Sequence, residues 1–155
     1  MNWKFHIDFI KRKINKIRGI IYKVRNLATR DVLMKIYYAL VYSYLNYSVM
    51  SWGGAYKSNI DPLQRAQNKV LKTILFLSYD SPTNPVYTTL RVLKIQEIFH
   101  SNCLFFIYKY HYSLLPPAFC AYFHPVSNVH NYLTRSTTSD DYYLPPFRTD
   151  NICFL

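Results

Sequence analysis

A regular helical period in the first 28 residues constrains the fold of this chain more than any other feature. Its apolar residues recur in alternating steps of four and three, a spacing that aligns side chains along one stripe of an α-helix. The stripe consists of Trp3, Ile7, Ile10, Ile14, Ile17, Ile21, Val24 and Ala28. Gly19 weakens such a helix by about 1 kcal/mol relative to alanine, which a stripe of this length outweighs. We therefore expect a long amphipathic helix whose apolar stripe packs against the rest of the protein.

Four further segments also have helical patterns. A second helix is expected from residue 29, with Thr29 as its cap, to just before Gly53. It is apolar almost all round, which predicts burial on most of its sides. The third helix is predicted to begin at Asp61, with Pro62 as its first helical residue. A short helix around residues 86–90 and a longer one over about 95–113 should follow, before the paired prolines at 116–117.

The sequence as a whole predicts an all-α fold. Only three glycines occur, whereas strands joined by tight turns usually need more. We expect an irregular bundle of about four to five helices. A helical domain should span residues 1–124. Residues 125–155 are rich in Ser, Thr, Asn, Asp and Pro, and predict an extended or disordered tail.

The charge distribution favours a polyanionic partner. The net charge is +11, and nine of the nineteen Lys and Arg residues lie in the first thirty positions, against Asp8 alone on the acidic side. Regularly spaced cations on one helix can follow a phosphate backbone and release its counterions. The alternative is an ordinary solvated helix face, which usually also carries acidic partners. The predicted nucleic-acid-binding residues are Lys11, Arg12, Lys16, Arg18, Lys23 and Arg25, with Lys69 and Lys72 as weaker candidates.

A membrane protein is the main alternative class. Residues 36–56 carry no charge and are long enough to span a bilayer. However, this stretch is rich in Tyr, Ser and Asn, whereas inserting spans are dominated by Leu, Ile, Val and Phe. We therefore prefer a helix of a soluble protein. A span here, or the basic first helix lying on a membrane surface, remains the alternative. Three cysteines without a CxxC pair are typical of reduced thiols, so we expect an intracellular protein.

No catalytic, metal or cofactor site is predicted. Asp140–Asp141 is an adjacent acidic pair, but it lies in the predicted tail and is expected to be a solvated loop. The His and Cys residues at 100–103 and 120–124 have a spacing only loosely like that of zinc ligands. Sixteen tyrosines could stack on nucleic-acid bases, yet most fall in apolar helical segments, where core packing is the usual role.

Five stretches of the chain resemble sequence patterns that occur together in one protein family. Residues 33–53, ending in the letters SWG, resemble LYxSLIxPYLxYGxxxWG. Residues 63–72 (LQRAQNKVLK) resemble LQxxQNKALR, and residues 106–111 (FIYKYH) and 130–136 (HNYLTRS) resemble FMYKYH and HNYNTRS. Together with residues 17–25, which are similar to a first helix after the palm, they resemble the region after the palm in LINE-like, non-LTR retrotransposon reverse transcriptases. The stretches occur in that family's order and cover nearly the whole chain.

The resemblance implies a helical thumb that grips a template–primer duplex. The family's palm, with its aromatic-x-Asp-Asp motif and a separate upstream aspartate, has no counterpart here, because Asp140–Asp141 follows Ser139. Ser43 also stands where many relatives have proline. We therefore expect a non-catalytic fragment that lacks its palm partner. A retroelement remnant without a molecular function is the remaining possibility that the sequence leaves open.

Overall fold

The computed structural model describes residues 3–119 and Val126. The described part contains no β-strand, and its elements follow the chain in a simple order. They are α1 (Lys4–Val24), α2 (Arg30–Ile36), a π-helical segment (Tyr37–Tyr42), α3 (Ser43–Asn46), α4 (Val49–Trp52), α5 (Lys57–Ile74), α6 (Asn84–Leu90), α7 (Ile95–His111) and a 3₁₀ turn (Pro117–Phe119). The predicted all-α bundle is confirmed. The predicted tail lies outside the described residues apart from Val126, so the proposed domain boundary stays a prediction.

The apolar stripe of α1 forms one side of the core. Five isoleucines in steps of three and four are buried: Ile7, Ile10, Ile14, Ile17 and Ile21. They pack mainly against α5, whose buried residues Leu63, Ala66, Val70 and Ile74 follow the same helical period. Trp3, Val24 and Ala28, at the two ends of the stripe, are half-buried. The amphipathic first helix is therefore confirmed, but it ends at Val24, and Ala28 lies in the connection to α2.

The helix after Thr29 buries one row rather than most of its surface. Its buried residues Leu33, Tyr37, Val41 and Leu45 recur in steps of four. In a regular α-helix each such step turns the row by about 40°, because one turn takes 3.6 residues. The wider π-helical turn reduces this drift and keeps the row facing the core. The predicted burial on most sides is wrong, because the other sides are open. Their exposed side chains include Tyr38, Leu40 and Tyr47.

A break in the chain separates α3 from α4, ahead of the glycine pair. Tyr47 is extended and Ser48 is left-handed, with φ of 48°. The indole N–H of the fully buried Trp52 donates a hydrogen bond of 2.9 Å to the Tyr47 carbonyl and closes the break. No glycine or proline marks this position in the sequence. The prediction of one continuous helix from residue 29 to residue 52 is therefore wrong in its last third.

Helix α5 begins one turn earlier than its sequence suggests. The predicted start at Asp61 is wrong, because the helix begins at Lys57 and contains Pro62. The amides of Asn59 and Ile60 both donate to the Tyr56 carbonyl, at 2.8 and 3.2 Å. Ile60 is buried, so the extra turn adds its side chain to the core. The free energy gained by burying Ile60 outweighs the cost of the backbone hydrogen bond that Pro62 cannot donate, because proline has no N–H.

A buried polar network joins α5 to three other elements. Gln67 is fully buried, and its side-chain amide donates to the Tyr37 hydroxyl and to the Leu93 carbonyl, both at 2.9 Å. Gln64 accepts a hydrogen bond from the Ile95 amide at 3.0 Å and donates to the Tyr87 hydroxyl at 2.6 Å. Because buried polar groups are costly unless paired, these bonds fix α5 against the π-helical segment, α6 and the start of α7.

Candidate nucleic-acid interface

Four of the eight predicted cations line one open cleft. Helix α1 contributes Arg18, Arg25 directly follows the end of this helix, and α5 contributes Lys69 and Lys72. The cleft has a volume of about 460 Å³, which falls among the clefts of roughly 300–1,000 Å³ that hold small ligands. The packing of α1 against α5 thus brings together two basic segments that lie about fifty residues apart in the sequence.

The register of each helix explains this arrangement. Arg18, Tyr22 and Arg25 are spaced by four and three residues, so they share one side of α1, directly beside the apolar stripe. Lys69, Lys72 and Thr73 share one side of α5 for the same reason. All of these side chains line the cleft. The stripe that packs the two helices together therefore also determines which cations face each other.

Aromatic rings lie close to three of the four cations that line the cleft. The Arg25 guanidinium carbon lies 4.3 Å from the ring centre of Tyr22 and 4.7 Å from that of Phe76. Within the described part of the chain, the buried Nε of Arg25 has no hydrogen-bond partner. The Lys72 ammonium donates a hydrogen bond of 2.7 Å to the Tyr79 carbonyl. The ammonium groups of Lys69 and Lys72 lie 5.4 and 5.9 Å from the Tyr79 ring centre. Such cation–π contacts position the cations without neutralising them.

The cleft has a strongly one-sided charge. Among the described residues that line it, none is acidic. Asp80 follows Tyr79 in the chain, but it is exposed and does not belong to the lining. Four positive charges held close together repel one another, and a bound anion relieves that repulsion. The cleft is therefore suited to phosphate groups.

The other predicted cations form a second group. Arg12, Lys16 and Lys23 are exposed and do not line the cleft. Arg12 makes only a long hydrogen bond, 3.4 Å, to the Asp8 carbonyl. Lys11 is half-buried and is also absent from the cleft lining. We call Arg12, Lys16 and Lys23 the outer cations, and Arg18, Arg25, Lys69 and Lys72 the cleft cations.

Two tyrosines of the cleft were missed by sequence reasoning. Tyr22 and Tyr79 are 59% and 72% exposed, although core packing was the expected role for most tyrosines. Tyr37 and Tyr87 do follow that expectation, since both are buried. The position of Tyr22 between Arg18 and Arg25 on the helix was a usable signal. Tyr79 lies in a connecting segment after α5, and only the folded structure brings it to the cleft.

A second, mainly apolar cleft of about 320 Å³ lies between α1 and α3. His6, Phe9 and Ile10 line it from α1, and Tyr44 and Tyr47 from the other side. The Nε2 atom of His6 is buried and has no hydrogen-bond partner among the residues that the structure describes. The cleft contains none of the predicted site residues, and its lining has no charge pattern that suits a nucleic acid.

The described residues show neither a metal-binding group nor a membrane span. No three His, Cys, Asp or Glu side chains among them lie close enough together to hold a metal ion. Cys120, His124 and Asp140–Asp141 lie outside the described residues. None of the described helices is both long enough and apolar enough to cross a bilayer. In particular, residues 36–56 include the break between α3 and α4 and the start of the connection to α5.

Comparison with known proteins adds no assignment: no family model, curated protein or solved structure matches this chain. The cleft and the sequence resemblance are therefore the two features of this chain that point to a function.

Proposed function

We propose that this chain is a thumb-like, non-catalytic part of a non-LTR retrotransposon reverse transcriptase that binds a template–primer duplex through basic side chains. The observation that carries this proposal is the cleft in which Arg18, Arg25, Lys69 and Lys72 converge without an acidic lining residue among those described. If these cations were only solvated, there would be no physical reason for cations of two helices to converge in one place. Phosphate binding gives that arrangement a physical role.

The outer cations extend this surface. Lys16 and Lys23 lie two turns apart on one side of α1, about 10.5 Å along its axis. Both are exposed, so both can contact the backbone of a duplex without any rearrangement of the core. Contacts of this kind carry no base specificity, and they position the protein along the nucleic acid.

The exposed end of α7 fits the idea of a missing neighbouring domain. Leu104 and Leu114 are 68% and 64% exposed, and Phe105 and Tyr108 lie beside them with more than half of their surface open. Exposed apolar surface of this kind is typical of a protein–protein contact. In the proposed parent enzyme, a palm domain is the partner that would cover it.

The proposal is tested by fluorescence anisotropy with a labelled RNA–DNA duplex and the full-length chain. The logarithm of the association constant should fall linearly with the logarithm of salt concentration between about 50 and 200 mM, with a slope of roughly −0.9 per phosphate contact. A matched assay with neutral and anionic vesicles tests the membrane alternative. Absence of salt-sensitive duplex binding, or binding to anionic vesicles alone, contradicts the proposal.

A polymerase assay tests the non-catalytic part of the proposal separately. The chain is incubated with a primed RNA template, deoxynucleotides and a divalent cation, and an intact reverse transcriptase serves as the positive control. We expect no primer extension, because the aspartates that hold metal ions in nucleotidyl transfer have no counterpart in the sequence. Extension by the purified chain would show that it carries a catalytic centre.

A further inference from the structure

The cleft is too small for the duplex that the proposed function assigns to the protein. Its volume of about 460 Å³ suits a group of the size of one nucleotide. A duplex cannot enter it, because each step of a duplex carries two paired nucleotides and the cleft suits only one. A double helix can touch the rim of the cleft with its phosphates, but it leaves the interior unfilled.

The interior combines the two kinds of group that recognise an unpaired nucleotide. Four cations suit its phosphate, and the exposed ring of Tyr79 suits its base, because every base has a face that can stack on an aromatic ring. Lys69 and Lys72 approach this ring through flexible stems, at 5.4 and 5.9 Å. Their ammonium groups can move from the ring to a phosphate without any change in the backbone.

We infer that the cleft holds one unpaired nucleotide of the bound nucleic acid, with its phosphate against the cleft cations and its base against Tyr79. This inference rests on the proposed function, since the outer cations hold the adjoining duplex. A template–primer offers such a nucleotide where the template strand extends beyond the paired region. The cleft therefore gives the protein a preference for the junction between duplex and single strand over the duplex alone.

Binding of three related probes by the full chain tests this inference. The probes are a blunt duplex, the same duplex with an unpaired overhang, and the overhang form with abasic sugars in place of the unpaired nucleotides. Stacking of one base contributes enough to make the overhang probe bind roughly tenfold more tightly than the abasic probe, which keeps the same phosphates. The blunt duplex should bind most weakly of the three.

Three variants test whether the difference in affinity between the probes arises in the cleft. Tyr79→Ala should lower affinity for the overhang probe to that for the abasic probe, and it should leave the abasic probe unaffected. Tyr79→Phe should keep the preference, because the ring remains. Tyr56→Ala is the matched control: Tyr56 is also exposed, it lies outside the cleft, and its side chain makes no cap hydrogen bond to α5. Thermal melts check that each variant is folded.

The outcomes separate this inference from the proposed function. Equal, salt-sensitive binding of all three probes overturns the nucleotide site and leaves duplex binding intact. Failure to bind any probe overturns the proposed function itself. A Tyr79→Ala variant that loses affinity equally for the blunt and overhang probes shows that Tyr79 supports the surface as a whole and does not stack on an unpaired base.

Discussion

Gln67 is the buried polar residue on which the packing of α5 depends most directly. It is fully buried, it donates to the Tyr37 hydroxyl and the Leu93 carbonyl, and its carbonyl accepts from Gln64 at 3.0 Å. Both partners of its amide belong to other elements. A single side chain thus holds the π-helical segment and the connection between α6 and α7 against the same turn of α5.

Replacing this amide should destabilise the fold. In Gln67→Leu, the size of the side chain is nearly kept, but the buried Tyr37 hydroxyl and the Leu93 carbonyl lose their donor. An unpaired buried polar group costs about 1–3 kcal/mol, so we expect the free energy of unfolding to fall by at least that amount. Urea unfolding measures the change. Gln96→Leu is the control, because Gln96 is exposed on α7. Similar small losses in both variants would contradict the structural role of Gln67.

Two buried tyrosines make stability sensitive to high pH. Burial raises the pKa of the Tyr37 and Tyr87 hydroxyls above the ordinary value of 10. Their stabilising effect is therefore complete below pH 10, the pKa in the unfolded chain. It is lost as pH rises towards the higher pKa of the folded state, because the unfolded chain then releases protons that the folded chain retains.

Tyr37→Phe isolates one of these groups. At neutral pH the variant should be less stable than the wild type, because Gln67 loses the hydroxyl acceptor. Above about pH 10 this difference should shrink by roughly 1.4 kcal/mol per pH unit, because only the wild type must keep that hydroxyl protonated. Urea unfolding of both proteins at a series of pH values tests this. A stability difference that stays constant across the series would show that Tyr37 ionises normally in the folded chain.

At the scale of elements, two glycines serve opposite purposes. Gly53 is buried where α4 meets α7, and a Cβ atom there would lie 2.5 Å from Cδ2 of Phe99 and 2.6 Å from the Val49 carbonyl oxygen. Gly19 lies in the middle of α1, and a Cβ atom there would meet nothing within 4 Å. The first glycine allows two helices to approach, whereas the second only weakens its helix.

The same substitution at these two sites should therefore change stability in opposite directions. Gly53→Ala should lower the free energy of unfolding by about 1–3 kcal/mol, since movement of Phe99 cannot relieve the contact with the backbone oxygen. Gly19→Ala should raise it by up to about 1 kcal/mol, because alanine favours the helix. Thermal or urea unfolding of both variants gives the comparison. A tolerated Gly53→Ala would mean that α4 and α7 are not held so closely.

The sequence predicted elements well where periodicity alone determined them. The stripe of α1 is long and regular, and it was found in full. The start of α5 was missed because Asp61 and Pro62 give a strong local signal, whereas the true start depends on burial of Ile60 against the core. The break at Ser48 was missed because it depends on a hydrogen bond from Trp52, and a hydrogen bond of this kind leaves no mark in periodicity.

At the scale of the whole molecule, the fold divides the eight predicted cations into two groups that the sequence alone does not distinguish. All eight candidates were identified from charge and spacing. Their division into cleft and outer groups depends on how α1 and α5 pack, which joins Arg18 and Arg25 to Lys69 and Lys72 across a long stretch of chain. Helical spacing fixes neighbours within one helix, but not the register between two helices. The cleft could therefore be recognised only in the folded structure.

This division allows a test that separates a built surface from simple net charge. Lys16→Gln/Lys23→Gln removes two outer cations, and Lys35→Gln/Lys57→Gln removes two exposed lysines that lie outside both groups. Both double variants lose the same formal charge. If Lys16 and Lys23 each contact a phosphate, the first variant should bind every duplex more weakly, and the magnitude of its salt slope should fall by about 1.8. The control should change the slope little, because distant charges are largely screened beyond about 10 Å at 0.1 M salt. Equal changes in the two variants would mean that duplexes respond to overall charge, and that the outer cations do not form a defined binding surface.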